Sequence, residues 1–210
     1  MPKTESFERY SAAYDEWFEK NHALYAAELE VVRQLLPMAE ADGVEVGVGS
    51  GRFAAPLGIK TGVEPSEKMA DLARKRGVRV YIGTAEDLPF PDNSFDFVLM
   101  VTTLCFVDDV AQSFREAFRV LRPDGCMVIG FVDKQSPLGK RYAQHREKSK
   151  FYRDASFYTA PEVLKYLGEA GFKATEIKQT LISEVEPQII LSGFGKGAFV
   201  VIKGVKIGVE

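Results

Sequence analysis

The chain has 210 residues, of which 46% are hydrophobic and 27% are charged, the composition of a globular protein. This length suits one α/β domain with a substantial core and is too short for two comfortable ones. A net charge of −3 gives no general reason to expect a nucleic acid as partner. No apolar run approaches the roughly 20 residues of a membrane helix, so we predict no membrane insertion.

The N-terminal residues MPKTESFERY lack the apolar segment of a signal peptide, which predicts a cytoplasmic location. The chain has two cysteines, Cys105 and Cys126, without a CxxC spacing, and only two histidines. This pattern disfavours a structural zinc site, and we predict no bound metal. Both cysteines lie in or beside apolar segments, where reduced, buried thiols are the expected state.

Apolar side chains recur at helical spacing over residues 6–36, which predicts two helices, the second ended by Pro37. Short apolar runs then alternate with helical periods. The predicted strands are 43–48, 59–64, 78–82, 95–101 and 126–132, and the predicted helices are 51–57, 66–76 and 109–120. This alternation predicts one domain built on a parallel sheet with right-handed crossovers.

The last third of the chain departs from this alternation. Residues 133–158 are polar and aromatic without a clear period, and their length suggests a short helix or a lid. A predicted helix over 160–170 leads to strands at 172–182 and 198–206 with no helix between them. Two such strands predict an antiparallel pair at one edge of the sheet.

The most informative stretch is VEVGVGSGRFA, residues 44–54, a strand that runs into the alternating glycines Gly47, Gly49 and Gly51. Glycines at the end of a strand let a ligand approach bare backbone N–H groups. The next apolar run ends in Glu64, whose carboxylate is placed to accept hydrogen bonds from both hydroxyls of a ribose. The two features together predict a nucleoside-containing cofactor.

The glycines alone leave the cofactor open. Read from Gly47 the pattern is GxGxG, whereas the reading GSGRFA from Gly49 fits a dinucleotide fingerprint and motivates a nicotinamide-dependent oxidoreductase as an alternative. A glycine-rich turn that binds no ligand is the simplest interpretation of all.

Five segments then resemble, in consistent order over about residues 40–175, a class I S-adenosylmethionine-dependent methyltransferase of the ubiquinone/menaquinone-type, small-molecule group. They are VEVGVGSGRF, GVEPSEKMADLA, YIGTAEDLPFPDNSFDFVLM, VLRPDGCMVIG and PEVLKYLGEAGF. The resemblance implies a Rossmann-like, seven-stranded, mostly parallel sheet with an antiparallel last strand, helices on both faces and an N-terminal helical cap. It also implies S-adenosylmethionine as cofactor and S-adenosylhomocysteine as product.

The resemblance assigns roles position by position. It implies an acid near the methionine amino group at Glu45, a ribose-binding Glu64, and an adenine site whose neutral Thr84 stands where many relatives carry Asp. The implied cofactor contacts are Glu45, Gly47, Gly49, Gly51, Glu64, Pro65, Met69, Thr84, Ala85, Glu86, Val101, Thr102 and Tyr14. Simpler interpretations remain for Met69 as a core residue and for Glu86 as a turn cap.

Two segments are candidates for the acceptor pocket. The first is the aromatic stripe Tyr10, Tyr14, Trp17 and Phe18, which either covers the cofactor as a lid or packs on the sheet. The second is 133–158, a predicted substrate-pocket insertion. Its His145 is a weak candidate proton acceptor, as is Tyr14, and the family uses no universal catalytic residue.

We therefore predict a cytoplasmic methyltransferase that acts on a small molecule, with an oxygen, nitrogen or carbon acceptor left open. The basic residues of 133–158 are diluted by Glu147 and Asp154, and the segment VTTLCFVDD after the fourth strand lacks an Asn/Asp-Pro-Pro-Tyr motif, so nucleic acid and protein-amide substrates are disfavoured. The alternatives are the oxidoreductase and a non-catalytic protein that binds S-adenosylmethionine. The oligomeric state is left open.

Overall fold

The computed structural model describes residues 3–38, 40–183 and 186–207. The helices are α1 (Glu5–Lys20), α2 (His22–Arg33), α3 (Ala54–Leu57), α4 (Glu67–Lys75), α5 (Val110–Val120), α6 (Pro137–His145) and α7 (Ala160–Glu169). The strands are β1 (Gly43–Val46), β2 (Thr61–Val63), β3 (Arg79–Tyr81), β4 (Phe95–Val101), β5 (Leu121–Val132), β6 (Phe172–Thr180), β7 (Leu191–Ser192) and β8 (Phe199–Lys206). Short 3₁₀ turns cover Leu104–Phe106 and Arg146–Lys148.

The strands form one sheet in the order β3-β2-β1-β4-β5-β8-β6-β7. The first five are parallel to one another, and β8 runs antiparallel to both of its neighbours, β5 and β6. This arrangement confirms the predicted Rossmann-like, mostly parallel sheet with an antiparallel last strand. The sheet has one strand more than the seven expected, and the additional strand is β7. It pairs with β6 over two residues only, which is too short for any periodicity to reveal it.

The core lies on both faces of the central strands. Along β4, Val98 and Met100 join a buried cluster with α5 and α7, whereas Leu99 and Val101 join a second cluster with α2. Successive side chains of a strand point to opposite faces, so an apolar run without alternation is buried on both sides. The continuous apolar sequence of β4 thus correctly predicts a central strand.

Some predicted boundaries move for local reasons. The helix predicted from residue 51 begins at Ala54, since Gly51 has a φ of +82°, which does not fit a helix. Residues 122–125, between the predicted helix 109–120 and the predicted strand 126–132, lie inside β5 as an irregularity, where the pairing with β4 jumps from Leu121 to Cys126. Asp124 there has a left-handed φ of +62°.

The insertion at 133–158 contains α6 and the 3₁₀ turn after it, in agreement with the expected short helix. Ser136 caps α6, since its Oγ accepts a hydrogen bond from the Gly139 N–H at 2.9 Å. Across the described residues no helix combines the length and apolar character needed to traverse a bilayer. The predicted cytoplasmic location stays a prediction.

Candidate active site

A cavity of about 370 Å³ opens where β1, β2 and β4 reach their carboxyl ends, and we call it the strand-end cavity. Open α/β sheets bind their ligands at this edge. The predicted site residues that line it are Tyr14, Gly47, Gly49, Glu64, Pro65, Met69, Thr84, Ala85, Glu86, Val101 and Thr102. The fold thus brings together residues that are up to 88 positions apart in the sequence, from Tyr14 to Thr102.

The three glycines of the turn after β1 have positive φ angles but different surroundings. A Cβ on Gly47 would collide with the side chain of Thr103, so the turn and the loop after β4 pack tightly there. At Gly49 the space is open, with the nearest atom, Met69 Cε, 3.6 Å away. Gly51 instead faces α4, where an added Cβ would lie 3.2 Å from Ala73. Gly47 and Gly49 line the cavity, and Gly51 does not.

Glu64, which follows β2, is buried, with 7% of its surface exposed, and it lines the strand-end cavity. One carboxylate oxygen accepts from the Gly49 N–H at 2.9 Å and the other from the Ser66 N–H at 3.0 Å. Burial raises the pKa of Glu64 to about 7, against the lowering effect of these two hydrogen bonds. The backbone therefore holds the carboxylate in place, and each oxygen retains lone pairs for further donors.

Glu45 lies on β1, immediately before the turn, with 1% of its surface exposed, and does not line the cavity. Its Oε2 is buried without a hydrogen-bond partner among the residues that the structure describes. Burial raises the pKa of Glu45 well above its ordinary value. A buried acid with an unsatisfied oxygen beside a glycine turn is the kind of group that a positively charged ligand would stabilise.

The first helix supplies another wall of the strand-end cavity through Phe7 and Tyr14, joined by Lys3 and Thr4. Burial raises the pKa of Tyr14 above its ordinary value, so its hydroxyl stays protonated at neutral pH. Of the aromatic stripe, Tyr14 is the residue that reaches this cavity, whereas Phe18 is buried in the core. Packing against the core is thus confirmed for Phe18, whereas cover of a cofactor by Tyr14 stays a prediction.

Asp15 fastens α1 to the glycine turn. Its carboxylate accepts from Ser50 Oγ at 2.8 Å, from Arg52 Nε at 2.8 Å and from Arg76 Nη2 at 2.7 Å. Although burial raises it, hydrogen bonds from Arg52 and Arg76 lower the pKa of Asp15 to about 2. No local sequence pattern predicts this ion-pair cluster, because its members lie up to 61 residues apart.

Thr84, Ala85 and Glu86 line the opposite end of the cavity from a loop after β3. Glu86 also has a structural role, since its Oε1 accepts from the Asp108 N–H at 2.7 Å and the Asp109 N–H at 3.2 Å. The loops after β3 and β4 are thereby joined. The additional lining residues that sequence reasoning missed are Lys3, Thr4, Phe7, Gly83, Thr103, Phe106, Val107 and Asp108.

Thr102, at the exit of β4, has a φ of +51°, in a region that β-branched residues rarely occupy. Its N–H donates to Gly130 O at 2.8 Å, which extends the sheet by one residue. Such strain persists only where the surroundings impose it, and it concentrates at functional sites. Thr102 lines the strand-end cavity and also a second one.

This second cavity has a volume of about 690 Å³, and we call it the aromatic cavity. It shares Tyr14, Thr102 and Phe106 with the strand-end cavity. Aromatic side chains from α1 and from the 133–158 insertion line it. These are Trp17, Phe18, Tyr142, Phe151 and Tyr152. The two cavities therefore meet at the strained end of β4.

Other candidate groups lie apart from this arrangement. His145 is exposed, its Nδ1 is 2.9 Å from Arg141 O, and it lines neither cavity. Burial raises the pKa of Cys105 to about 12, which keeps its thiol protonated and unreactive. Within residues 3–38, 40–183 and 186–207, no cluster of three or more His, Cys, Asp or Glu side chains is arranged to hold a metal ion.

The fold is Rossmann-like, and the strand-end cavity lies at the edge where such sheets bind ligands. Residues 44–129 match the model of a family described as a methyltransferase domain. A solved SAM-dependent methyltransferase from Thermotoga maritima, described as a possible histamine N-methyltransferase, is 48% identical with a TM-score of 0.92. The match covers 97% of this chain and 99% of that one.

Two sequence relatives match most of the chain. An uncharacterized protein of Methanocaldococcus jannaschii is 44% identical over 204 residues, covering 96% of this chain and 98% of the relative. The malonyl-[acyl-carrier protein] O-methyltransferase of Geobacter sulfurreducens is 30% identical over 206 residues, covering 88% of this chain and 74% of the relative. The chain belongs to the S-adenosylmethionine-dependent methyltransferases, which confirms the predicted class of enzyme. The family implies S-adenosylmethionine as cofactor.

Proposed function

We propose that the protein binds S-adenosylmethionine in the strand-end cavity and transfers its methyl group to a small molecule held in the aromatic cavity. The observation that carries this proposal is the buried Glu64 carboxylate, fixed by the Gly49 and Ser66 amides at the end of β2. Ribose hydroxyls are the donors that such a carboxylate accepts.

The residues fit this cofactor. Glu64 would hold the ribose, Met69 and Pro65 would pack near the adenine, and Thr84 with Ala85 would meet its edge. The unsatisfied Oε2 of Glu45 suits the cationic amino group of the methionine part. When bound, this cofactor supplies a methyl carbon that its sulfonium has already activated for displacement.

The chain then needs to align the acceptor, exclude water and, for some acceptors, accept a proton. We assign the exclusion of water to α1, which Asp15 holds against the glycine turn. Tyr14 acts as a positioning residue in this scheme, because its protonated hydroxyl cannot serve as a base at neutral pH. His145 is exposed and lines neither cavity, which gives no support for a role as proton acceptor.

Family membership and the aromatic cavity both bear on the functions that the sequence left open. Family membership favours methyl transfer over the nicotinamide-dependent oxidoreductase and over a non-catalytic binding role. Nucleic acid remains disfavoured as a substrate, and the aromatic cavity supports a small molecule with an apolar body. The T. maritima protein is described as a possible histamine N-methyltransferase, and histamine is an amine. Amines therefore belong in any acceptor screen beside phenols and quinols.

Isothermal titration with S-adenosylhomocysteine and with NADH tests the cofactor. We expect S-adenosylhomocysteine alone to bind, and binding of NADH alone would overturn the proposal. Incubation with radiolabelled S-adenosylmethionine and a panel of amines, phenols and quinols tests the reaction. Binding of the cofactor without transfer to any member of a metabolite extract would favour the non-catalytic alternative.

A further inference from the structure

Glu28, on α2, is a buried acid whose side chain lines the aromatic cavity, with 6% of its surface exposed. Among the described residues, no group donates a hydrogen bond to it and no cation pairs with it, and burial alone raises its pKa to about 8. Buried carboxyl groups are almost always paired. The other buried acids away from the glycine turn follow that rule, as with Glu116, which binds Arg119 at 2.7 Å.

Aromatic rings line the same cavity as the Glu28 carboxyl group. Tyr142 and Tyr152 line the same cavity and stack on each other with ring centroids 5.0 Å apart. Burial raises the pKa of both phenols, and the negative charge of Glu28 adds to the effect, so the three groups lie within electrostatic reach of one another. Trp17 lines the cavity from α1.

Before a ligand binds, the Glu28 carboxyl group holds its proton at neutral pH, since its pKa is about 8, and a cationic nitrogen beside it favours the ionised form. The resulting carboxylate and the aromatic faces bind that nitrogen by two mechanisms at once. The carboxylate accepts charge-assisted hydrogen bonds from the N–H groups, and the ring faces attract the positive charge. We propose that Glu28 binds the ammonium group of the methyl acceptor, which makes the acceptor a small amine with an apolar or aromatic body. This inference rests on the proposed function, because it takes the aromatic cavity as the acceptor site.

Four basic side chains also line the cavity, namely Lys20, His22, Arg141 and Lys196, and all four are exposed. Water and salt screen exposed charges, whereas a buried charge acts nearly unscreened. The buried carboxyl group of Glu28 therefore decides the charge of the bound group, because the four exposed basic side chains lie nearer to solvent. An anionic acceptor held by these basic residues is the outcome that would contradict this inference.

Two series of compounds provide the test. Within each series the aromatic body and the two-carbon chain are the same, and the end group is an amine, a hydroxyl or a carboxylate. The first is 2-phenylethylamine, 2-phenylethanol and 3-phenylpropionate, and the second is tryptamine, tryptophol and indole-3-propionate. Binding is measured by calorimetry at pH 7 in saturating S-adenosylhomocysteine, after the binding of S-adenosylhomocysteine itself has been measured for each protein. The variants are Glu28→Gln and, as a matched control on the exposed face of the same helix, Glu30→Gln.

We expect the wild-type protein and Glu30→Gln to bind at least one amine about tenfold or more tightly than its alcohol and its acid. Glu28→Gln should lose this preference. An equal or reversed ranking in the wild-type protein, no binding of either amine, or a preference that survives Glu28→Gln would each overturn the role of Glu28. Failure of S-adenosylhomocysteine to bind the wild-type protein would overturn the proposed function instead. The wild-type ranking needs no variant, so the test remains decisive even if Glu28→Gln does not fold.

Discussion

Two buried glutamates, one in each cavity, differ in what holds them. Glu64 receives hydrogen bonds from two backbone amides, whereas Glu28 receives none from the residues that the structure describes. The strand-end cavity is built around fixed backbone groups, and the aromatic cavity around side chains from helices and an insertion. A scaffold of this type can keep its cofactor site constant while the side chains of the second cavity select the acceptor.

The largest effect that we expect is on the free energy of unfolding of Glu28→Gln at high pH, which tests whether Glu28 is buried without a partner. The pKa of Glu28 is about 8 in the folded protein, against 4.5 for a glutamate exposed to water, so the folded state retains a proton that the unfolded state loses between these values. This acid therefore lowers stability as the pH rises from 4.5 to 8, by up to about 5 kcal/mol. Glu28→Gln should be the more stable protein at pH 9.

Urea denaturation of both proteins at pH 5, 7 and 9 measures this difference in the free energy of unfolding. Glu45 and Glu64 also have raised pKa values, but they are present in both proteins and cancel. A difference that does not grow with pH would show that Glu28 finds a partner in solution, and the contrast with Glu64 would fail.

The backbone character of the strand-end cavity predicts a large effect of Gly47→Ala. The added Cβ would meet the Thr103 side chain at a φ of +69°, with an expected cost of about 2–4 kcal/mol in folding together with loss of S-adenosylhomocysteine binding. Gly58→Ala is the matched control, because Gly58 has a φ of +78° with no atom within 4 Å of the added Cβ. The control should cost only about 1 kcal/mol. Thermal denaturation and calorimetry compare the two, and equal effects would show that the contact with Thr103 is unimportant.

Removal of the Glu64 carboxylate sharpens the comparison from the cofactor side. Glu64→Ala should weaken S-adenosylhomocysteine binding by about 1–3 kcal/mol, because a charged acceptor for the ribose is lost. Glu67→Ala removes an exposed carboxylate three residues away and should leave the dissociation constant unchanged. If calorimetry gave the wild-type value for Glu64→Ala, Glu64 would not belong to the site.

A smaller effect should appear in the pH dependence of cofactor binding. With a pKa of about 7, Glu64 is mostly ionised at pH 8 and mostly protonated at pH 6. Since the carboxylate is the better acceptor, S-adenosylhomocysteine should bind about tenfold more weakly at pH 6, equivalent to about 1.4 kcal/mol. Titrations across this range in wild-type protein and Glu64→Gln measure it, and the variant should show a flatter profile. The same slope in both proteins would assign the titration to another group.

The sequence revealed the strand-end cavity because local features build it. Glycines after a strand and an acid at the end of the next strand fix both the backbone path and the neighbouring strand, so Gly49 and Glu64 are brought together as expected. The parallel part of the sheet follows from the same alternation of strands and helices. Gly51 and Glu45 show the limit of this reasoning. Both belong to the same motif as Gly47 and Gly49, but neither lines the strand-end cavity.

Both segments predicted for the acceptor pocket line the aromatic cavity, but its buried acid was not predictable in the same way. Glu28 occupies one position of an ordinary amphipathic helix, and only packing shows that it is buried without a partner. The ion pairs of Asp15 and the left-handed Thr102 likewise depend on contacts between distant segments. No pattern within α2 or β4 carries this information.

The shared wall of Tyr14, Thr102 and Phe106 has a thermodynamic consequence. A molecule that orders these side chains from one cavity changes the surface that the other cavity presents. Linkage then requires cooperativity to be reciprocal, so the factor by which the nucleoside improves amine affinity equals the factor by which the amine improves nucleoside affinity. Calorimetric titrations in both orders would expose this symmetry.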